Sequence, residues 1–429
     1  MRPKISCKFS ATGWPQSTRK PEFCKPRSSG SPRLADNRTT EASASLVILL
    51  AALAAMNALS VEIILPAVVP ISVDLSVGEK TAAMLIGAYF LAYAFGQMIW
   101  GLLSDAFGRK PMLLLGMTGF LLASIGAALA PDFNTLLAFR LAQGVLGASP
   151  IIANAIVRDL SSGTKAARTM SVLAATTGVA PLLAPVLGSG LLVLFSWRAI
   201  FAFLAVLSAV LIVTAAMRLP ETLAQKQAAR LHPKFIMRRT AELLGNRQFR
   251  SGALVMSITF AGFASVLTLG SIVAKNAFHI APEAFGSVYA IAAVFVVTGV
   301  LLARALLKTR SLETVGAISM GVLGMAVVFQ FGLALTTPSF PAFWGGVAVY
   351  MLAFGLVYPT FTSYALEAAH SSSGFGASLI GAMNMLFGFL SSLLVTWLYD
   401  GSHRAISITM VLLGGLAIAI FLVLHPRRS

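Results

Sequence analysis

The chain of 429 residues is 57% hydrophobic and only 11% charged, and its formal net charge at pH 7 is +17. This composition excludes a large soluble domain and is typical of a membrane protein. The basic residues lie in a tail and in connections between apolar runs, which argues against nucleic acid as a partner. Cys7 and Cys24, the only cysteines, predict neither a disulfide framework nor a metal site.

The order of apolar and polar stretches predicts the domain organisation. Residues 1–43 are rich in Ser, Pro, Lys and Arg without apolar periodicity, so we expect a disordered basic cytoplasmic tail. Twelve apolar segments follow, each near the ~20 residues that a helix needs to cross a bilayer. A basic stretch, 218–250, separates six segments within 44–217 from six within 251–429. The predicted fold is an all-α membrane protein with twelve transmembrane helices in two six-helix halves.

The distribution of Lys and Arg predicts the orientation. Basic residues concentrate in the tail and in alternate connections, including 218–250. The opposite connections hold few of them: Lys80, Arg198, Lys275 and Arg404. Because basic loops stay in the cytoplasm, both termini and the central loop are expected to be cytoplasmic.

The first apolar segment contains an acid, Glu62, in the run EIILPAVVP. A carboxylate within a bilayer is costly and is a functional candidate by default, here for binding and releasing a proton. Pro66 and Pro70 cannot donate backbone hydrogen bonds and should loosen this helix. The alternative is that Glu62 lies near the outer interface and extends its carboxylate into water.

Two later segments carry polar aromatic stripes at helical spacing. Segment 2 places Tyr89, Tyr93 and Gln97 on one face, and segment 10 does the same with Tyr350, Phe354 and Tyr358. Such stripes would suit planar or cationic organic substrates in a central cavity, through stacking and cation–π contact. Packing between helices, with tyrosine hydroxyls as hydrogen-bonding groups, is an equal alternative.

Segments 2 and 3 are joined by the sequence GLLSDAFGRKP. Its notable residues are Gly101, Asp105, Gly108, Arg109 and Lys110. The glycines permit a sharp turn, and the acid requires a basic partner where water is scarce. The sequence resembles motif A of the major facilitator superfamily, which implies a gating role. A basic connector retained inside by its charge is the alternative.

Two further stretches support the same resemblance. Arg140, in RLAQGVLGASP, resembles motif B, which the family links to proton transfer; a structural anchor for backbone carbonyls is the alternative. Segment 5, GVAPLLAPVLGSG, resembles the antiporter motif C, with Ala-Pro in place of Gly-Pro. It contributes Gly178, Pro181, Pro185 and Gly188 to a kinked, closely packed helix. Together with DAFGRKP, this spelling is most similar to the bicyclomycin-resistance (Bcr/CflA) family.

The resemblance implies a monomeric drug/proton antiporter of the inner membrane whose partners are a small-molecule substrate, protons and the lipid bilayer. The sequence contains no Walker loop, HExxH or G-x-S-x-G, so we expect no enzyme, no cofactor and no metal. Glu62 is the acid placed deep inside a segment, which favours the proton as coupling ion. Three alternatives remain: a proton-coupled exporter of a sugar or amino-acid derivative, a passive uptake facilitator and a non-transporting membrane ligand sensor.

The orientation yields a direct prediction. A reporter fused after residue 235 should report the cytoplasm, because the central stretch is basic. A reporter fused near residue 337 should report the outside, because the connection there contains no Lys or Arg. Paired alkaline phosphatase and fluorescent-protein fusions measure this. An external signal at residue 235 would contradict the six-plus-six topology.

Overall fold

The structure, a computed structural model, describes residues 44–160, 163–223, 232–369 and 373–424. The predicted tail, 1–43, lies outside these residues. Within them the chain is helical, without strands, and contains 12 helical spans long and apolar enough to cross a membrane. This confirms the fold class predicted from the sequence.

The helices of the N-terminal half are α1 (Ala44–Glu62), α2 (Val68–Asp74), α3 (Glu79–Phe107), α4 (Arg109–Ala128), α5 (Phe133–Leu146), α6 (Ser149–Leu160), α7 (Gly163–Leu194) and α8 (Trp197–Arg218). A short helix, α9 (Pro233–Gly245), lies between the halves in sequence. The helices of the C-terminal half are α10 (Arg247–Phe278), α11 (Phe285–Leu306), α12 (Leu312–Leu335), α13 (Phe340–Ala369), α14 (Ser373–Leu398) and α15 (Arg404–Leu424).

Numbered along the chain, spans 2, 3, 5 and 6 are α3, α4, α7 and α8, and spans 7 to 12 are α10 to α15. Spans 1 and 4 of the N-terminal half are interrupted helices. In span 1, α1 and α2 are separated by a 3-10 turn at Leu65–Ala67, where Pro66 has no N–H to continue the helical hydrogen bonds. In span 4, α5 ends before Gly147 and α6 begins at Ser149, just before Pro150. Such breaks at membrane depth are tolerated only where protein or a cavity, rather than lipid, surrounds the freed backbone groups.

The stretch predicted as a central loop, 218–250, is partly helical. Helix α9 starts with Pro233, a residue suited to the first helical turn, and α10 already begins at Arg247. Phe235 and Ile236 lie half-buried and Leu243 is buried, whereas Lys234 and Arg238 are exposed. Helix α9 is therefore amphipathic and packs its apolar face against the bundle.

The two ends of the bundle are named by residues found there. The Arg109 end contains the α3–α4 connection, and the Asp74 end contains the α2–α3 connection. At the Asp74 end the carboxylate of Asp74 accepts hydrogen bonds from Trp197 Nε1 (2.9 Å) and Arg198 Nη1 (2.6 Å). These bonds join the ends of spans 1 and 6 within the N-terminal half.

At the Arg109 end, a single residue turns the chain from α3 into α4. Gly108 adopts φ = 119°, a conformation that favours glycine. The Glu221 carboxylate then caps α4, accepting from Arg109 N–H (3.0 Å) and Lys110 N–H (3.2 Å). Burial raises the pKa of Glu221. Hydrogen bonds from backbone N–H groups, including that of Leu223 in the same loop, lower it by more, so the pKa lies below its ordinary value. The carboxylate is thus ionised near neutral pH and fastens span 6 to the motif A turn.

Candidate functional site

A cavity of about 530 Å³ lies between the two halves. Its wall is mainly apolar and aromatic, with contributions from α1, α3, α7, α10, α11, α13 and α14. A cavity of this size accommodates a drug-sized organic molecule. It reaches Arg304, in the last turn of α11 at the Arg109 end.

Glu62 lies in this cavity, at the last residue of α1 and directly before the break in span 1. Its side chain is only 6% exposed, and the Oε2 atom accepts no hydrogen bond. The hydroxyl of Tyr289, which lines the same cavity from α11, also lacks a partner. No ion pair involves Glu62 in the part of the chain that the structure describes. An acid here carries an uncompensated charge whenever it is ionised.

The helix that resembles motif C packs directly against the break beside Glu62. At Gly188 a Cβ atom would collide with the Ile63 carbonyl oxygen of span 1. Three residues earlier, the Pro185 carbonyl oxygen fills the space where Gly286 of α11 would carry a Cβ. Gly286 N–H also donates to Ser189 Oγ at 3.0 Å. Spans 1, 5 and 8 therefore meet backbone to backbone, while Gly178 and Pro181 of the same helix line the cavity.

Arg140 lies outside the cavity, in the interior of the N-terminal half, and is fully buried. Its Nη1 donates to Gln143 Oε1 (3.0 Å) and to the Ser60 carbonyl (3.4 Å), and its guanidinium stacks 4.5 Å from the Tyr89 ring centre. Nε and Nη2 donate to no group among the described residues. Arg140 thus contacts the backbone two residues before Glu62, but the structure does not bring the two charged groups together as an ion pair.

The aromatic residues predicted for the cavity divide into two groups. Phe354 and Tyr358 line it. Tyr89 and Tyr93 stack on each other inside the N-terminal half, and Tyr350 donates to the Thr259 carbonyl inside the C-terminal half. Gln97, which was predicted with these aromatic residues, is also buried outside the cavity and packs against Gly381 where α3 crosses α14.

Other cavity residues were not singled out from the sequence. Phe90, Phe260 and Phe263 supply much of the aromatic wall, and Asn57 and Asn384 supply amides. The predicted cavity face of α3 rests on its polar residues, and phenylalanine carries no polar group that would mark the face that meets the cavity. The asparagines did carry a signal, since polar side chains inside membrane segments point to function.

The motif A residues form a dense charge cluster at the Arg109 end. The guanidinium of Arg109 contacts Asp105 (2.6 Å) and Asp159 (2.9 Å) and donates to Ser104 Oγ (2.8 Å). Lys110 Nζ donates to the Ala216 carbonyl at 2.8 Å. All these partners belong to the N-terminal half. The cluster therefore joins spans 2, 3, 4 and 6 of that half.

A second, smaller cavity of about 250 Å³ separates this cluster from the C-terminal half. Asp105 and Arg109 line one side, and Gly374 and Ser378 of the first turns of α14 line the other. A Cβ atom at Gly101 would lie 3.4 Å from Ser378 Oγ, an ordinary packing distance. Asp105 and Arg109 thus face the start of α14 across a gap, while Gly101 packs against it.

At the Asp74 end the two halves are joined by charge. Lys275 Nζ of α10 lies 2.9 Å from Glu79 Oε1 of α3, and Asn276 donates to Glu79 Oε2 at 2.6 Å. Asn276 also donates to the Tyr399 hydroxyl (3.0 Å), and Lys80 lies 5.7 Å from the centre of the Tyr399 ring. Among the ion pairs between described residues, Lys275–Glu79 is the one that crosses between halves. These contacts join the halves at the Asp74 end, whereas the lining of the cavity reaches Arg304 toward the Arg109 end.

Comparison with known proteins now identifies the family. Residues 50–392 match the family described as the Major Facilitator Superfamily. The chain belongs to the Major Facilitator Superfamily. It is therefore a multi-pass membrane transport protein rather than an enzyme, and the resemblance predicted from its motifs is confirmed.

Proteins similar in sequence to this chain include proteins named for drug resistance. A bicyclomycin resistance protein homolog of Haemophilus influenzae is 27% identical over 358 residues, which cover 81% of this chain and 88% of the relative. Multidrug resistance protein D of Escherichia coli is 27% identical over 391 residues, covering 90% and 97%. The crystal structure of a D-xylose–proton symporter shares the fold, with a TM-score of 0.72 at 17% identity over 90% of this chain and 98% of that one.

The backbone contact at Gly188 yields a stability prediction. Gly188→Ala should lower the free energy of unfolding by roughly 1–3 kcal/mol, because the new Cβ must displace the rigid Ile63 carbonyl. The matched control is Gly190→Ala in the same helix, where nothing lies within 4 Å of the new Cβ. Thermal unfolding of the detergent-solubilised protein, followed by tryptophan fluorescence, measures both. Equal stability of the two variants would contradict the packing of span 5 against the span 1 break.

Proposed function

We propose that this protein exports small organic compounds across the inner membrane in exchange for protons. The observation that carries the proposal is the unpaired carboxyl group of Glu62 inside an aromatic, drug-sized cavity between the halves. The similarity to bicyclomycin- and multidrug-resistance proteins supports the choice of substrate class. The protein acts as a monomer, with both termini and the Arg109 end in the cytoplasm.

The coupling follows from the cost of a buried charge. An ionised Glu62 without a counter-charge is unfavourable, so the site gains free energy by binding a proton, and the substrate occupies the same cavity. If each weakens the binding of the other, proton entry promotes substrate release and proton exit restores substrate binding. Arg140 contributes by holding the Ser60 carbonyl beside the span 1 break, which is a positioning role.

Two clusters at opposite ends support alternating access. The Glu79–Lys275 pair joins the halves at the Asp74 end, which we take as external, while the cavity extends toward the cytoplasmic Arg109 end. In the opposite state this pair separates and the gap between motif A and α14 closes. The Asp105 carboxylate then approaches the start of α14, where backbone N–H groups favour a negative charge.

Three rival functions are separable by flux. A proton-coupled exporter of a sugar or amino-acid derivative would share the coupling but not the substrates of a resistance screen. A passive uptake facilitator would show flux without dependence on a pH gradient. A membrane sensor would bind a ligand with no flux in proteoliposomes. A compound panel in an efflux-deficient host, followed by reconstitution with the strongest substrate, distinguishes them.

Glu62→Gln should abolish accumulation driven by a pH gradient, because glutamine keeps the size of the side chain but cannot release a proton. Exchange of an uncharged substrate down its own gradient should continue. Glu62→Asp should retain partial coupling, since the ionisable group survives. The measurement is substrate accumulation in proteoliposomes with and without an imposed pH gradient.

The matched control for the coupling test is Glu283→Gln, which removes an exposed carboxylate at the Asp74 end. It should transport like the wild-type protein. Uphill export by Glu62→Gln at the wild-type rate would remove Glu62 from the coupling mechanism.

Glu79→Gln should shift the conformational equilibrium toward opening at the Asp74 end. Loss of one partly exposed ion pair is expected to change the ratio of the two states by roughly two- to fivefold. Pulsed EPR distances between spin labels at Asn134 and Glu283, on opposite halves of that end, measure the populations. The native cysteines are first replaced by serine.

Asp74→Asn is the control for the Glu79 variant. It breaks an ion pair of similar geometry at the same end, Asp74–Arg198, but within one half. Its distance distribution should match that of the unsubstituted protein. An equal shift in both variants would mean that the pair across the halves has no special part in closure.

A further inference from the structure

The wall of the main cavity contains two asparagines from opposite halves. Asn57 belongs to α1 in the N-terminal half, and Asn384 belongs to α14 in the C-terminal half. Each amide has a carbonyl oxygen that accepts hydrogen bonds and an NH₂ group that donates them. The group that faces the cavity decides what kind of ligand atom can bind there.

Neighbouring hydroxyl groups decide this orientation. The Tyr89 hydroxyl donates to Asn57 Oδ1 at 3.1 Å, and the Ser257 hydroxyl donates to Asn384 Oδ1 at 2.8 Å. Tyr89 and Ser257 are fully buried, and in the structure the amide oxygen is the acceptor of each hydroxyl proton. No other hydrogen bond between described residues engages either amide nitrogen. Both amide nitrogens therefore lack an acceptor among the described residues, and both side chains line the main cavity, Asn57 also bordering a small pocket beside Tyr89.

The surrounding wall provides flat apolar surfaces. The rings of Phe263 and Phe354 stack with their centres 5.1 Å apart, and Phe260 lies 5.9 Å from Phe354. Phe90 of the N-terminal half contacts Phe260 edge to face at 6.0 Å. Planar aromatic molecules bind such surfaces by stacking.

The charges of the wall do not favour a cation. Among the described residues that line the cavity, the charged side chains are Glu62 and Arg304. The two formal charges sum to zero with Glu62 ionised and to a positive value with Glu62 protonated, although Glu62 and Arg304 form no ion pair in the described residues. The two NH₂ groups add positive partial charge directed at the ligand. The wall as a whole is therefore never anionic.

We propose that the substrates are uncharged, planar aromatic compounds with carbonyl-type oxygen acceptors, bound by the Asn57 and Asn384 amide NH₂ groups against the phenylalanine wall. The proposal rests on the proposed function in taking this cavity as the substrate site. Tyr89 and Ser257 are positioning residues, since they act on the ligand through the amides they orient. Because one donor comes from each half, a bound acceptor-bearing ligand also links the two halves.

Equilibrium binding of two fluorescent probes tests the proposal. N-methylacridone is neutral and carries a carbonyl group, whereas N-methylacridinium has the same ring frame, a positive charge and no acceptor. Fluorescence anisotropy with the full chain in nanodiscs, corrected with empty nanodiscs, gives both dissociation constants. The wild-type protein should bind the acridone at least about tenfold more tightly, as expected for two hydrogen bonds.

Substitutions separate the amides from general apolar binding. Asn57→Leu and Asn384→Leu should each weaken acridone binding roughly three- to tenfold, with little effect on the acridinium. Gln330→Leu is the matched control, because it removes a buried amide of α12 that does not line the cavity. It should leave both dissociation constants unchanged.

A milder variant keeps the test valid if a leucine substitution prevents folding. Tyr89→Phe removes only the hydroxyl that orients Asn57, so the amide can rotate and present its oxygen. The preference for acridone over acridinium should then narrow, while the protein stays monodisperse in size-exclusion chromatography. A purely structural role for Tyr89 would weaken both probes equally.

The outcomes that overturn the proposal are specific. They are equal or tighter binding of the acridinium, no binding of either probe by the wild-type protein, or unchanged acridone affinity in both asparagine variants. The test uses no gradient, so it is independent of proton coupling. Failure here with intact coupling through Glu62 would refute only the substrate class, and the reverse result would refute only the coupling.

Discussion

A helix in a bilayer can leave its regular hydrogen bonding only where protein surrounds the freed backbone groups. In this protein the break in span 1 satisfies that requirement through close packing with spans 5 and 8. The glycines at positions 188 and 286 remove the side chains that would keep the three backbones apart. Glu62, the last residue before the break, is held at the wall of the cavity by this packing. The position of the acid thus depends on residues that carry no charge.

The two ends of the bundle differ in how their charges are used. The Arg109 cluster satisfies its charges inside the N-terminal half and is separated from α14 by a gap. At the Asp74 end, Glu79 forms an ion pair with Lys275 and accepts a hydrogen bond from Asn276, and both contacts join the two halves. Each exposed contact contributes little by itself, which is consistent with the proposed alternating access, in which these contacts separate. A large, permanent interface at either end would favour one state too strongly.

The cavity combines adaptable and directional groups. Stacked phenylalanines accept many flat molecules with little discrimination, because dispersion and apolar burial have no strong orientation requirement. The two oriented amides add a requirement for acceptors at defined places. Arg140 contributes indirectly, since its contacts with Tyr89 and the Ser60 carbonyl support the hydroxyl donor and the α1 backbone beside it.

The sequence by itself determined the features that depend on local chemistry. The twelve spans follow from apolar length, the break at Pro66 follows from a missing N–H, and the Asp105–Arg109 pair follows from an acid and a base that lie four residues apart across a glycine turn. Only the tertiary structure decided which face of each helix meets the cavity. Membrane helices are apolar on nearly all sides, so periodicity does not distinguish Phe354, which lines the cavity, from Tyr350, which is buried between helices. Partners distant in the chain were also beyond local patterns: Asp159 and Glu221 join motif A from other spans, and Glu79 pairs with a lysine 196 residues away. The orientation of the Asn57 and Asn384 amides also depends on the tertiary structure, because the Tyr89 and Ser257 hydroxyls reach the amide oxygens only once the helices have packed.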